Sequence, residues 1–531
     1  MNRRPFLKLF FLISSIFPFR LFGSTILSVN NLVSFQHGVA SGDPTNENVI
    51  IWTRVTPSSH SFLRVVWQVA GDKHFKNIIQ RGVVKTSQKN DFTVKADPYI
   101  PKEYNNKKIY YRFIADGAIS PIGQTKTLPY YNPDEFNLAF CSCSNYPGGY
   151  FNAYREMALN KDIDVFLHLG DYIYEYDDKG YASENALSMD RVVDPLHEII
   201  TLSDYRKRHA QYKTDIDLQK LHSSKPMIAV WDDHEFTNDS WKEGAENHQS
   251  NEGSFNKRKA NALKAYYEWM PIRELKSKFK IWKKFEIGTL FQLLMLDTRS
   301  IYRDKQLLLD NYIQNDVFDK NTYLNDLDKN RSLVGKEQFN WLENSINDNF
   351  KWTIVGQQVM VAEVHLPKIF SFMDKNLLPE YLHKYLQIGG MEIPYNTDAW
   401  DGYPNERNKL FNILSKANSS IVLTGDTHNS WISNLYDKDN FIGVEIATPS
   451  ISSPNTIDTF GNITDKIEAG FINENKNVTW TNGKGKGYVN LKITNDEILA
   501  SFNYVSTVKS KEYTNLNPVT FKIKHNKPYI I

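Results

Sequence analysis

Asp164-Val165-Phe166-Leu167-His168-Leu169-Gly170-Asp171-Tyr172-Ile173-Tyr174-Glu175 is a short apolar run that ends abruptly on a glycine and an acid. A run of this length, bounded by a glycine, predicts a buried strand rather than a helix. The same pattern recurs along the chain. Asn137-Leu138-Ala139-Phe140 runs into Cys141-Ser142-Cys143-Ser144-Asn145. Pro226-Met227-Ile228-Ala229-Val230-Trp231 runs into Asp232-Asp233-His234-Glu235. Phe291-Gln292-Leu293-Leu294-Met295-Leu296 runs into Asp297-Thr298-Arg299, and Ser420-Ile421-Val422-Leu423-Thr424 into Gly425-Asp426-Thr427-His428. A further strand is expected at Lys351-Trp352-Thr353-Ile354-Val355, with helical stretches at 150–160 and 202–221. Strands alternating with helices predict a layered α/β domain. In such sheets, sites are built at the carboxyl ends of strands.

Outward from this core, residues 34–128 predict an all-β region. Phe62-Leu63-Arg64-Val65-Val66-Trp67-Gln68-Val69 and Ile109-Tyr110-Tyr111-Arg112-Phe113 are strand-like, and Gly42-Asp43-Pro44-Thr45-Asn46 is a turn. Their spacing suggests a small immunoglobulin- or fibronectin-like sandwich. Residues 129–134 look like a linker, 303–330 a polar loop or lid, and 488–508 a return to β structure. The expected organisation is a signal at 1–24, a β domain at 34–130, the α/β domain at 135–508 and a C-terminal tail at 509–531.

The first residues, Met1-Asn2-Arg3-Arg4-Pro5-Phe6-Leu7-Lys8, precede a short apolar stretch that is too brief to span a bilayer. Paired Arg3 and Arg4 followed by Phe6-Leu7-Lys8 match a twin-arginine export signal. The export machinery is therefore an expected partner, and the periplasm or the exterior the expected location. That route carries folded proteins, often already loaded with metal. A net charge of +2, from 63 basic and 61 acidic side chains, offers no surface for nucleic acid. The two cysteines, Cys141 and Cys143, lie too close in sequence for an unstrained disulfide. A monomer is the expected state.

Taken singly, each strand end has an ordinary structural reading. Asp-Tyr after a strand is a turn, His168 is a core histidine, and the cysteines are small core residues. Joint occurrence changes this. Asp171 after a buried strand is costly unless paired or bound to metal. Asp426 and His428, one residue apart, can face one ion, and Asp232-Asp233-His234 repeats the theme. Clustered cations of this kind suit phosphoryl transfer. Arg299 is a candidate phosphate ligand or a structural ion pair.

The chain resembles the alkaline phosphatase D (PhoD) family of the metallophosphoesterase superfamily. The resemblance is carried by His37-Gly38-Val39-Ala40-Ser41-Gly42-Asp43-Pro44, His168-Leu169-Gly170-Asp171-Tyr172-Ile173-Tyr174-Glu175, Trp231-Asp232-Asp233-His234-Glu235, Leu296-Asp297-Thr298-Arg299, Trp400-Asp401-Gly402-Tyr403-Pro404 and Leu423-Thr424-Gly425-Asp426-Thr427-His428. It implies an α/β (α+β layered) metallophosphoesterase sandwich that hydrolyses phosphate mono- or diesters by metal-activated hydroxide. It implies a ferric ion held by Cys143, Asp171, Tyr174, Asp426 and His428. Calcium ions would lie beside it, on Asp171, Asp233, Asn238 and Asp401. His234 and Asp233 are the implied catalytic pair, with His234 at the leaving oxygen. Two alternatives are a phosphodiesterase of phospholipase D type on the same fold and a non-catalytic, glycan-binding surface protein.

Overall fold

The computed structural model describes residues 33–57, 61–274, 280–527 and 529; the export signal expected at 1–24 lies outside them. Two large sheets dominate. The nine-stranded sheet runs in the order Val519–Lys524, Glu497–Val505, Lys486–Ile493, Phe136–Cys141, Val165–His168, Pro226–Ala229, Val39–Gly42, Ile50–Arg54, Thr93–Ala96. Its central neighbours, from Phe136–Cys141 to Val39–Gly42, pair in parallel. The seven-stranded sheet runs Lys283–Ile287, Phe291–Met295, Trp352–Gln357, Ser420–Thr424, Asn440–Ala447, Ser430–Asp437, Val478–Asn482. Phe291–Met295 through Asn440–Ala447 are again parallel.

The central strands are continuously apolar because both faces are covered. Every residue of Phe136–Cys141, Val165–His168, Phe291–Met295 and Ser420–Thr424 is buried. The inner faces of the two sheets share one apolar cluster that includes Phe136, Leu138, Phe291, Leu293 and Ile421. The Phe136 and Phe291 rings meet edge-on at 5.4 Å.

The N-terminal region is all-β and two-layered, as its strand signals predict, and one of its layers continues into the main sheet. One layer is the antiparallel sheet containing Phe62–Ala70, Ile78–Ser87 and Ile109–Ala115. The other layer is Val39–Gly42, Ile50–Arg54 and Thr93–Ala96, which continues the nine-stranded sheet through the pairing of Val39–Gly42 with Pro226–Ala229. Gly42 allows that junction: a Cβ there would lie 2.3 Å from the Pro271 carbonyl oxygen and 2.6 Å from that of Met227.

Three expectations change. The helical stretch at 202–221 is two helices, Leu202–Tyr212 and Ile216–Ser224. Asp215 starts the second by accepting hydrogen bonds from the amides of Asp217 and Leu218. The polar 303–330 segment contains a short hairpin (Ile313–Gln314 with Val317–Phe318) and the helix Lys320–Leu327. It is ordered by a knot of Tyr312, Phe318 and Tyr323, whose rings lie 5.3–6.2 Å apart, which overall composition conceals. The tail at 509–531 supplies the sheet's edge strand Val519–Lys524, with Phe521 4.8 Å from Trp480 and 5.7 Å from Phe502. Phe521→Ala should cost about 3 kcal/mol of stability through the cavity it leaves. Urea denaturation of wild type and variant checks it. Among the described residues, no helix is long and apolar enough to cross a membrane.

Candidate functional site

Four strands deliver their carboxyl ends to one place, three from the nine-stranded sheet and one from the seven-stranded sheet. Phe136–Cys141 leads to Cys143, Val165–His168 to Asp171 and Tyr174, Pro226–Ala229 to Asp232, Asp233 and His234, and Ser420–Thr424 to Asp426 and His428. Four of these residues are non-glycines with left-handed backbones: Cys143 (φ 60°), Asp171 (55°), Asp426 (60°) and His428 (59°). That conformation is disfavoured for residues carrying a Cβ, and it concentrates at functional sites held by their surroundings. The surroundings here are explicit. The Cys143 amide donates to the Gly170 carbonyl (3.2 Å), the Ser144 amide to that of Asp171 (2.9 Å), and the Gly425 amide to that of Gln358 (2.8 Å). Gly170, at φ 108°, lets the acid loops touch: a Cβ there would sit 2.3 Å from the Asp232 Cβ.

The donors form three overlapping groups, each with its atoms within 4.8 Å of one another: Cys143, Asp171 and His428; Asp171, Asp233 and His234; Asp232, Asp233 and Asp426. Tyr174 joins the first, its hydroxyl 2.9 Å from Asp171 Oδ2, 2.7 Å from Ser453 Oγ and 3.4 Å from His428 Nε2. Asp171 is common to the first two groups and Asp233 to the last two. The oxygens Asp171 Oδ1, Asp232 Oδ2 and Asp233 Oδ1 are buried without a hydrogen-bond donor. Buried carboxylate oxygens are costly unless something positive faces them, and such oxygens are what a hard cation takes. The thiol and imidazole of the first group suit a transition metal. The residues present therefore fit a pair of cations bridged by Asp171.

Electrostatics agree. Burial raises the Asp171 carboxyl well above the usual range, opposed by His234 and reinforced by Asp233 and Asp232. Burial likewise raises Asp426 well above that range and Asp232 to about 7. A bound cation would relieve all three. His234 goes the other way. Burial disfavours its charge, but the carboxylates of Glu175, Asp171 and Asp233 outweigh this and hold the imidazolium well above the usual histidine range. Its Nδ1 lies 2.7 Å from Glu175 Oε2, which leaves Nε2 for the cluster.

The structure places the expected residues as follows: Asp426 groups with Asp232 and Asp233, and His428 with Cys143 and Asp171. Asp401 stands outside all three groups among the described residues. It is ion-paired with Arg407 and accepts from the Val364 amide at 3.1 Å, yet burial still raises its carboxyl to about 6. Asn238 donates its side-chain amide to Glu246 (2.5 Å) and its backbone amide to Glu175 (2.7 Å). Arg299 is bonded to Asp232 and Asp398 and lies 3.7 Å from both Asp233 and Asp426, so its guanidinium balances the third group. Cys141 lies in the core, and His168 is buried against the Tyr154 hydroxyl at 2.8 Å. Glu175 and Ser453 carry no sequence signal of their contacts, which come from loops distant in the chain.

The model of PhoD-like phosphatases matches residues 138–502, and that of the PhoD-like phosphatase N-terminal domain matches residues 28–129. The chain belongs to the PhoD-like phosphatase family. Alkaline phosphatase D of Bacillus subtilis (strain 168) is 35% identical over 500 residues, covering 89% of this chain and 78% of that protein. A solved structure of PhoD superposes with a TM-score of 0.76 at 33% identity, covering 92% of this chain and 90% of that one. This PhoD-like phosphatase is thus a hydrolase of phosphoric esters, with the metallophosphoesterase-type α/β architecture and all-β N-terminal region expected from its motifs.

In this phosphatase Glu175→Gln removes the strongest influence that keeps His234 charged. The His234 titration, followed by NMR in the metal-free protein, should move to lower pH. Turnover should fall roughly 10–100-fold, the usual effect of losing a carboxylate behind a site imidazole.

Proposed function

We propose that the enzyme is a metal-dependent phosphatase that works outside the cytoplasm, with a ferric ion in the Cys143–Asp171–Tyr174–His428 group and calcium beside it at Asp171, Asp233 and the neighbouring oxygens. The observation that carries this reading is Asp171, whose buried Oδ1 lacks a donor and whose carboxylate is shared by two ligand groups. The phenol favours ferric iron over zinc, for which a tyrosine ligand is less expected. Bound cations would polarise the phosphate oxygens and acidify a water.

The chain's own residues do the rest. Asp171 and Asp233 set the spacing of the groups, while the Cys143 loop and Ser453 fix the Tyr174 hydroxyl. The Tyr174 ring packs against that of His234, centroids 4.2 Å apart and tilted by 31°, and with Glu175 it fixes the imidazole's orientation. His234, charged, presents Nε2 where a leaving oxygen can take its proton. Part-exposed Asp426, His428 and Tyr181 form the open side, by which a phosphate ester enters.

A second reading has specific support. An imidazole whose Nδ1 contacts a carboxylate commonly offers Nε2 to a metal, so His234 can be a ligand in the group with Asp171 and Asp233. The twin-arginine motif at Arg3-Arg4 supports export of the folded, loaded chain. Measuring metal content, visible absorption and hydrolysis of mono- and diester nitrophenyl substrates, with and without chelator, tests the whole. A phenolate-to-iron band with chelator-sensitive turnover is the expected result. A colourless, calcium-free protein with undiminished turnover would overturn it.

A further inference from the structure

Glu235 sits beside the ligand groups and belongs to none of them. It is 1% exposed, and its carboxylate accepts three backbone hydrogen bonds. Oε2 takes the amides of Asp171 (3.0 Å) and Asp232 (2.6 Å), and Oε1 takes the amide of Tyr172 (2.5 Å). Those amides lie on two separate loops. One follows Val165–His168 and carries the left-handed Asp171; the other follows Pro226–Ala229 and carries Asp232, Asp233 and His234. The hydrogen-bonded parts of these two strands end at His168 and Ala229, so the ladder no longer holds the chains together where the ligands begin. Glu235 takes over there. The turn that delivers it is closed by the Phe236 and Thr237 amides, both donating to the Asp233 carbonyl at 2.7 Å.

We propose that Glu235 is the positioning residue of the centre: one buried carboxylate that fixes the distance between Asp171 and the Asp232–Asp233–His234 loop, and hence the separation of adjacent cation sites. The assignment rests on the metal-dependent reading above. Three amide bonds to one carboxylate tie the two loops together, and they offset the strain of a left-handed aspartate. Glutamine at 235 keeps the size but turns an NH2 toward one of the donors. Aspartate keeps the charge but is too short to reach both loops.

The test uses the full chain, with Glu235→Gln, Glu235→Asp and the control Glu406→Gln. Glu406 is also a buried carboxylate that accepts backbone amides, from Leu333 (2.7 Å) and Val334 (3.0 Å), but it has no part in the ligand groups. Metal bound per folded chain, kcat and KM for a nitrophenyl ester, and thermal stability are measured for each. Both Glu235 variants should bind iron and calcium roughly 10–100-fold more weakly, with kcat falling and KM little changed, and excess metal should restore part of the rate. Glu406→Gln should lower stability while keeping wild-type metal content and kcat. If Glu235→Gln and Glu235→Asp fold, load metal as wild type does and keep its kcat, the assignment is wrong. It is also wrong if their losses merely match those of the control. Wild type that binds no metal yet hydrolyses the ester refutes the underlying metal reading instead.

Discussion

Asp171→Asn is expected to abolish turnover and to empty two cation sites at once. Among the acids, histidines and cysteines of the described residues, only Asp171 is common to the Cys143–His428 group and the Asp233–His234 group. Asparagine is nearly the same size, so packing is preserved. It has one oxygen in place of two and no charge, so it cannot bridge. The buried site then loses the anion that a pair of cations needs between them. Lewis-acid stabilisation of the transition state is worth several kcal/mol, and each 1.4 kcal/mol is a factor of ten, so kcat/KM should fall by about 10³-fold or more. Stability of the metal-free chain should rise rather than fall, because burial already disfavours the Asp171 charge. Metal analysis and melting of apo protein, beside the assay, check all three. A variant that keeps its full metal complement would show that Asp171 does not bridge.

His234→Ala is expected to lower kcat by about 10²–10⁴-fold, the range for loss of a general acid. Metal content separates the two roles open to this residue. If His234 donates a proton, the variant keeps the wild-type complement, and its rate recovers most with substrates whose leaving groups need no proton, such as nitrophenolate. If it is a ligand through Nε2, the cation between Asp171 and Asp233 is lost and no leaving group rescues the rate. In either case Glu175 is left as a buried carboxylate facing an empty space. Thr237, Asn238 and Asn247 still donate to it, so the fold should survive.

The strands were legible because parallel strands covered on both faces must be continuously apolar, and each one here stops on a polar loop. The N-terminal region shows the limit. Its strand signals are real, yet nothing local says that Val39–Gly42 pairs with Pro226–Ala229, nearly two hundred residues away. The 303–330 segment misled through average polarity, while three aromatic rings ordered it. Motif position likewise says nothing about Arg407, six residues on from Asp401, which is ion-paired with it.

By itself, then, the amino-acid sequence determined which residue types stand at the strand ends, and with them the family, the ester-hydrolysing chemistry and the candidate ligands. Only the tertiary structure decided which acid faces which group. Asp426 and His428, with one residue between them, fall in different groups, and each is held in a left-handed backbone. Only the tertiary structure, too, revealed Glu175 and Glu235 behind the ligands. Side-chain direction at a strand end depends on backbone torsions enforced by distant loops. A carboxylate that binds amides from two loops has no local pattern until those loops are folded together.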